Sequence, residues 1–218
     1  MEINQLIQTI AIYALPVLFA ITLHEAAHGY VARYFGDMTA FAQRRISLNP
    51  LRHVDLLGTV LVPLAILLAS GGRFLFGWAK PVPVNYSALR KPKQHMAWVA
   101  AAGPAANLAM ALGWALMLKL GTALPDTLSY SEPLVRMSEA GVRVNLIFMF
   151  LNLLPILPLD GGRILASLLP NRVSGQYSRL EPWGIPLLLV LVVTNMLDAV
   201  LGPLLMYSES LIHAFVFL

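Results

Sequence analysis

The feature that most constrains this chain is a series of long apolar runs. A transmembrane helix requires about 20 consecutive, mostly apolar residues. Hydrophobic residues make up 58% of the chain and charged residues only 12%, and the mean hydropathy is +0.70. These values exclude an ordinary water-soluble globular protein and predict an integral membrane protein. The runs occupy residues 6–35, 56–69, 96–120, 142–157, 185–201 and 204–218.

We therefore predict an all-α polytopic membrane protein, a helical bundle of about five to six transmembrane segments. The 218 residues are predicted to form a single domain. Because the chain has no cysteine, a metal site would have to use His, Asp or Glu ligands. No nucleic-acid-binding motif is present, and the net charge of +4 comes from Lys and Arg clustered between apolar runs, where they orient a membrane protein.

The distribution of basic residues predicts the orientation. None precedes the first run, whereas four lie at its end or in the loop after it, which places the N-terminus outside and that loop in the cytoplasm. Basic residues also precede the run at 96–120, so residues 53–90 make no net crossing and are predicted to form a re-entrant hairpin. The alternative is a real crossing followed by a second, short crossing at 74–88. The basic residues concerned are Arg33, Arg44, Arg45 and Arg52, then Arg90, Lys91 and Lys93, then Arg163, Arg172 and Arg179.

Two segments between the first runs predict a small β-hairpin element. Residues 38–50, MTAFAQRRISLNP, are rich in polar and turn residues and are predicted to pair as short strands near the membrane surface. Residues 71–85, GGRFLFGWAKPVPVN, are predicted to be extended. Pro81 and Pro83 exclude a regular helix and a central strand there, which leaves an edge strand or a loop.

Two histidines and a glutamate interrupt the first apolar run as HEAAH, residues 24–28. On a helix, His24 and His28 lie one turn apart on the same face, so both imidazoles can reach one metal ion. Glu25 is placed to take a proton from a water molecule and pass it to a leaving amine. The alternative is that the three side chains pack or pair at the end of a span. Ionisable groups in a membrane helix are costly and usually functional, which favours the metal site.

A catalytic zinc site usually has three protein ligands and one open position, so a third ligand must come from elsewhere. The candidate is Asp160, which follows the run ending at residue 157 and precedes two glycines. Pro155 and Pro158 interrupt the helix just before it. On the predicted orientation, this run and the first one both cross inward, so Asp160 reaches the depth of His24 and His28. A helix-terminating Asp-Gly-Gly turn at the membrane surface explains Asp160 equally well.

Together these motifs resemble the site-2 proteases, a family of intramembrane zinc metalloproteases. HEAAH is matched by a later N-x-x-P-x-x-P-x-D-G segment, here residues 152–161. AAGPAANLAMALG, residues 101–113, resembles the central G-x-x-x-N segment of the family with Gly103 and Asn107. The resemblance covers roughly residues 15–170 and is far more specific than H-E-x-x-H alone. It fits the small bacterial type, without PDZ or CBS domains.

The resemblance implies that one zinc ion per chain is bound by His24, His28 and Asp160, with Glu25 as the general base. It also implies that Asn152 helps to hold the substrate or the oxyanion. Asn107 is an intramembrane polar residue that either lines the substrate cleft or bridges helices, and we assign it to the cleft. The catalytic core is then about residues 8–170, and the C-terminal membrane segments are about residues 183–218.

The implied reaction is hydrolysis of peptide bonds in or near transmembrane segments, in regulated intramembrane proteolysis or in the clearance of signal-peptide remnants. The partners are then transmembrane protein substrates and the lipid bilayer, and the oligomeric state is not set. A substrate helix must unwind before attack, and an edge strand within 39–48 or 74–85 could pair with it. The predicted location is the bacterial inner membrane, with the active site toward the cytoplasm. The alternative is a non-catalytic membrane zinc-binding protein or scaffold.

Overall fold

The computed structural model of the chain describes residues 3–53, 55, 58, 61, 65, 80–125 and 127–217. Within these residues all regular secondary structure is helical, which confirms the predicted all-α class. Short 3₁₀ turns lie at Pro50–Arg52 and Tyr86–Ala88. The α-helices are α1 (Ile3–Tyr34), α2 (Thr39–Ala42), α3 (Pro92–Ala123), α4 (Ser131–Asn152), α5 (Asp160–Leu168), α6 (Asn171–Ser178), α7 (Glu181–Val193) and α8 (Met196–Phe217).

Three of the described helices are long and apolar enough to cross a membrane, namely α1 from Ile7, α3 and α8. The predicted count of five to six spans is therefore not confirmed within the described part of the chain. The predicted span at 142–157 corresponds to the second half of α4 and the turn after it. The first half of α4 carries three charged residues, Glu132, Arg136 and Glu139, and Arg143 follows early in the second half, which lowers the hydropathy of the helix.

The helices α1, α3 and α4 pack against one another and form the centre of the bundle. The buried face of α3 repeats small or amide side chains every fourth residue, at Gly103, Asn107, Ala111 and Ala115. No hydrophobic effect drives helices together inside a membrane. Small residues let the helix backbones approach closely, and this close contact stabilises the packing. These residues bring α3 close enough to α1 and α4 to carry a shared polar site.

The turn between α4 and α5 sets the position of Asp160 at the first residue of α5. A Cβ added at Gly161 would lie 2.2 Å from the Leu153 carbonyl oxygen, and one added at Gly162 would lie 2.6 Å from Ile156 backbone atoms. The two glycines therefore allow α5 to start directly against the preceding turn. The D-G-G sequence therefore marks the start of α5 and also allows its backbone to pack closely against the preceding turn.

The C-terminal helices differ from the sequence prediction. The apolar run 185–201 is not one span, because the chain turns at Thr194 and Asn195 between α7 and α8. Asn195 has a φ of 56°, a left-handed conformation that Asn adopts more readily than most residues. Residues 204–217 of the weaker run belong to α8, which packs on α3 and α4.

The prediction of strands at residues 39–48 is wrong. Residues 39–42 form the single helical turn α2, because the Asp37 carboxylate accepts a hydrogen bond from the Thr39 amide and starts a turn there. Arg44 then reverses the chain with a φ of 54°. The predicted re-entrant hairpin at 53–90 lies largely outside the described residues. Residues 80–85 are extended without regular pairing to another described segment.

Candidate metal centre and active site

Three predicted ligands meet where α1, α3 and α5 come together. His24 and His28 lie on the buried face of α1, with relative exposures of 6% and 9%. Asp160 reaches them from the start of α5, and its Oδ2 atom lies 3.2 Å from His24 Nε2 and 3.4 Å from His28 Nε2. The structure therefore brings Asp160 to two histidines that lie 132 or more positions earlier in the sequence.

The hydrogen bonds of the two imidazoles determine which nitrogens are free. His28 Nδ1 lies 2.7 Å from the Val99 carbonyl oxygen, which can only accept, so Nδ1 carries the proton. His24 Nδ1 lies 2.6 Å from Asn107 Oδ1 and donates to it in the same way. Both Nε2 atoms therefore present a lone pair toward Asp160. This is the tautomer that metal-binding histidines adopt when the other ring nitrogen is hydrogen-bonded.

The donor atoms have the spacing of a tetrahedral zinc site. The two Nε2 atoms are 3.1 Å apart, so the three sides of the ligand triangle are 3.1, 3.2 and 3.4 Å. Zinc–ligand bonds of 2.0–2.1 Å in tetrahedral geometry place neighbouring ligand atoms roughly 3.3 Å apart. Asp160 Oδ2 is buried and has no hydrogen-bond donor among the described residues. Three buried acceptors facing one another are unfavourable unless a positive charge lies between them, so the site fits a divalent cation.

A buried amide network holds His24 in position. Asn107, which has no exposed surface, donates from Nδ2 to the Ala20 carbonyl at 3.3 Å and to Asn145 Oδ1 at 3.0 Å. Asn145 in turn donates to the Gly141 carbonyl at 2.8 Å. These bonds leave Asn107 Oδ1 directed at the His24 ring. These contacts indicate that Asn107 positions the His24 ring. The predicted contact of Asn107 with substrate stays a prediction.

Gly103 leaves space beside the two imidazoles. A Cβ added there would lie 2.5 Å from His28 Nε2 and 2.6 Å from His24 Nε2. Any side chain at this position would enter the space where the ligand atoms converge. The predicted G-x-x-x-N segment therefore has a structural explanation, because Gly103 clears the site and Asn107, one turn later, orients a ligand.

Glu25 is fixed by a segment that we call the strap, residues 80–85. The Val82 amide donates to Glu25 Oε2 at 2.7 Å. The strap is held at its other end by the Asn85 amide, which donates at 2.7 Å to Oδ2 of the buried Asp37. One carboxylate oxygen of Glu25 is thus engaged, and Oε1 has no hydrogen bond to another described residue. The side chain is oriented beside the ligands with one oxygen left to take a proton.

Tyr86 directly follows the strap and lies close to the carboxylates of the site. Burial raises the pKa of its phenol to about 12; the Arg163 guanidinium opposes this rise, and the Asp160 and Glu25 carboxylates add to it. The Arg163 guanidinium carbon is 5.2 Å from the centre of the Tyr86 ring, and Arg163 also pairs with Glu181 at 2.8 Å. Tyr86 therefore remains protonated at physiological pH and links the strap to α5 and α7.

Comparisons with known proteins bear on the same residues. A model of the family "Peptidase family M50" matches residues 126–194, which contain Asp160 and its proline-rich approach. "Putative zinc metalloprotease YwhC" of Bacillus subtilis (strain 168) is 38% identical over 191 residues, which cover 87% of this chain and 83% of the relative. This chain belongs to peptidase family M50. The predicted resemblance to the site-2 proteases, the intramembrane zinc metalloproteases of this family, is confirmed.

A second relative is less similar to this chain. "Putative zinc metalloprotease Rip2" of Mycolicibacterium smegmatis is 28% identical over 185 residues, which cover 83% of this chain and 66% of the relative. No solved structure matches the chain. The apolar helices and the family together establish an integral membrane protein of the zinc metalloprotease type.

Some residues of this M50 site could not be recognised from the sequence. Asn145 is a polar residue within a predicted span, and that position alone could have marked it. The Val99 carbonyl and the Val82 amide are backbone groups, and no side-chain pattern signals them. Asn152 was singled out, and it lies part-buried at the end of α4, where its amide donates to the Phe148 carbonyl at 3.0 Å.

Replacing Asn107 by alanine should weaken zinc binding by about 10- to 100-fold, the usual cost of losing the hydrogen-bond partner of a metal ligand. The substitution removes the acceptor of the His24 Nδ1 proton and leaves Asn145 Oδ1 without its donor. Competition with a zinc chelator in detergent solution measures the effect. Asn152→Ala is the matched control, because its amide bonds only its own helix, and its affinity should be unchanged. Equal affinity of Asn107→Ala and wild type would refute the positioning role.

Proposed function

We propose that this chain hydrolyses peptide bonds in or near the transmembrane segments of single-span membrane proteins, or of signal-peptide remnants. One zinc ion per chain would be held by His24, His28 and Asp160, and Glu25 would act as the general base. The observation that carries the proposal is the triangle of three lone-pair atoms with sides of 3.1–3.4 Å, beside an oriented glutamate. Membership of a peptidase family supports it.

The protein side chains supply the proton transfers and the positioning. When bound, zinc supplies a Lewis acid that polarises the scissile carbonyl and acidifies the attacking water. Glu25 Oε1 takes the proton of that water and delivers it to the leaving amine nitrogen, while the Val82 amide keeps the carboxylate in place. Asn152, at the end of α4, is proposed to hold the substrate backbone or the developing oxyanion.

Substrate entry requires local unwinding, because a helix keeps its carbonyls in internal hydrogen bonds. The strap is extended, and Pro81 and Pro83 give it two positions without an amide hydrogen. We propose that the strap, and not residues 39–48, pairs with the unwound substrate backbone. The proposed setting is the bacterial inner membrane, with the N-terminus outside and the site open toward the cytoplasm.

The test is reconstitution of the purified chain in vesicles with a model single-span substrate. Wild type should cleave the substrate within or beside its apolar segment, lose activity when a chelator removes the metal, and regain it when one equivalent of zinc is restored. A second substrate with a helix-breaking Gly-Pro pair in the apolar segment should be cleaved faster, since its unwinding costs less. Cleavage that persists after complete metal removal would contradict the proposal.

A further inference from the structure

A polar cavity whose lining includes none of the proposed metal ligands lies beyond the end of α1. It has a volume of about 350 Å³ and is lined by Gln43, Arg44, Arg45, Leu51, Arg52 and Lys80. Four of these six described residues are cationic, and none of the six is acidic. We call it the basic cavity.

Within the described part of the chain, the hydrogen bonds of these arginines go to carbonyl oxygens. Arg52 Nη1 donates to the Arg44 carbonyl at 2.6 Å, and Arg45 Nη2 donates to the Lys80 and Pro81 carbonyls at 3.0 and 3.3 Å. Carbonyl oxygens orient a guanidinium but carry no net charge. Arg44 and Arg52 are exposed, so their other guanidinium N–H groups are open to a ligand. Convergent arginines with unused donors are the usual means of binding a phosphate group.

The segment that forms the cavity also exposes large apolar side chains. Phe41, Leu48 and Leu51 are 46%, 59% and 77% exposed, and Leu51 lines the cavity itself. Exposed apolar groups beside arginines are typical of a surface that lies in the membrane interface, where the apolar groups enter the acyl region and the cations meet headgroups. This favours a phosphate carried by a lipid over a phosphate free in solution.

We infer that the basic cavity binds the phosphate of an anionic phospholipid headgroup. Arg44, Arg52 and Lys80 supply the positive charge around the phosphate, and Leu51 contacts the glycerol and upper acyl region. A zwitterionic headgroup carries its own compensating ammonium group and gains less from four cations.

The cavity and the proposed active site share the strap. Arg45 holds the carbonyls of Lys80 and Pro81, and the next residue, Val82, donates its amide to Glu25. A headgroup beside Arg45 and Lys80 therefore stabilises the strap conformation that orients the base. This consequence rests on the proposed function, and it predicts faster cleavage in membranes that contain anionic lipid.

The binding test uses native mass spectrometry of the detergent-purified Glu25→Gln chain, titrated with phosphatidylglycerol or phosphatidylcholine. Because this form is expected to be inactive, lipid binding is measured independently of catalysis. Phosphatidylglycerol should bind the more tightly, and the added substitutions Arg44→Gln and Arg52→Gln should weaken it by roughly 30-fold, from the usual contribution of two basic residues to anionic-lipid binding. Lys80→Gln, a milder variant that leaves both arginines in place, should show a smaller loss in the same direction.

The matched control is the pair Arg172→Gln and Arg179→Gln, which removes two exposed charges predicted to lie on the same side of the membrane. It should leave phosphatidylglycerol binding unchanged, and an equal loss in this control would show nonspecific attraction and overturn the site. Inorganic phosphate should not displace the lipid; displacement would identify a site for free phosphate instead. If lipid binds as expected but wild type cleaves no substrate, the lipid-binding proposal is supported and the proposed protease function is refuted.

Discussion

Replacing Glu25 by glutamine should reduce peptide-bond hydrolysis by about 10²- to 10⁴-fold, the usual contribution of a general base. Glutamine is isosteric with glutamate, and its Oε1 can still accept the Val82 amide that Glu25 accepts at 2.7 Å. The strap and the ligands should therefore stay in place, and only the capacity to take a proton is lost. Cleavage of the model substrate and zinc content per chain, measured on the same preparation, give the result.

Glu139→Gln is the matched control for this variant. Glu139 is exposed on α4, so the same chemical change there should alter neither cleavage nor zinc content. One zinc per chain in both variants, with cleavage lost only in Glu25→Gln, would establish Glu25 as the base. If Glu25→Gln cleaves at the wild-type rate, another group removes the proton. If neither wild type nor variant cleaves any of a broad set of membrane substrates, the zinc-binding scaffold becomes the better account.

The three proposed ligands stand out in the sequence because their signals are local. His24 and His28 are related by one helical turn, and Asp160 stands out as a charge after an apolar run with prolines and glycines around it. Each signal needs only a few neighbouring residues. Their convergence was an inference from orientation, and the distances of 3.2 and 3.4 Å to Asp160 Oδ2 agree with it.

The groups that support the ligands could not be predicted so well, because they act across the bundle. Asn107 was recognised as polar within a span, but its direction toward His24 depends on how α3 packs on α1. The Val82 amide reaches Glu25 from 57 residues away, and a backbone donor has no signature in the sequence. Long-range backbone contacts of this kind follow only from the fold.

Two errors in the predicted fold have a common cause. The average composition of a segment does not show where a single residue turns the chain. Hydropathy treats residues 185–201 as one run, although Thr194 and Asn195 end α7 and reverse the chain. At 39–48, the polar residues predict strands. The Asp37 carboxylate instead accepts a hydrogen bond from the Thr39 amide, which favours a helical turn. In both places the backbone conformation is determined by one polar side chain or one residue with a left-handed conformation, and not by the average polarity of the segment.

Replacing Asp160 by asparagine should weaken zinc binding by more than the 10- to 100-fold typical of losing a supporting hydrogen bond, because a ligand itself is altered. The negative charge of Asp160 is what compensates a divalent cation beside two neutral imidazoles, and an amide cannot replace it. Chelator competition should show zinc lost from the variant under conditions in which wild type retains one equivalent. Cleavage should be lost with the metal. Asp198→Asn, at an exposed position on α8, is the matched control.

Thermal unfolding distinguishes this role of Asp160 from a structural one. In metal-free protein a proton taken up at Nε2 of His24 or His28 can be donated to Asp160 Oδ2, at 3.2 or 3.4 Å, so replacing Asp160 should lower the unfolding temperature only modestly, as expected for one lost pair. Added zinc should raise the unfolding temperature of wild type and of Asp198→Asn, since a ligand that binds only the folded state stabilises it. The same zinc should have little effect on Asp160→Asn. A variant that unfolds at a much lower temperature without metal would instead indicate that Asp160 holds α5 in place.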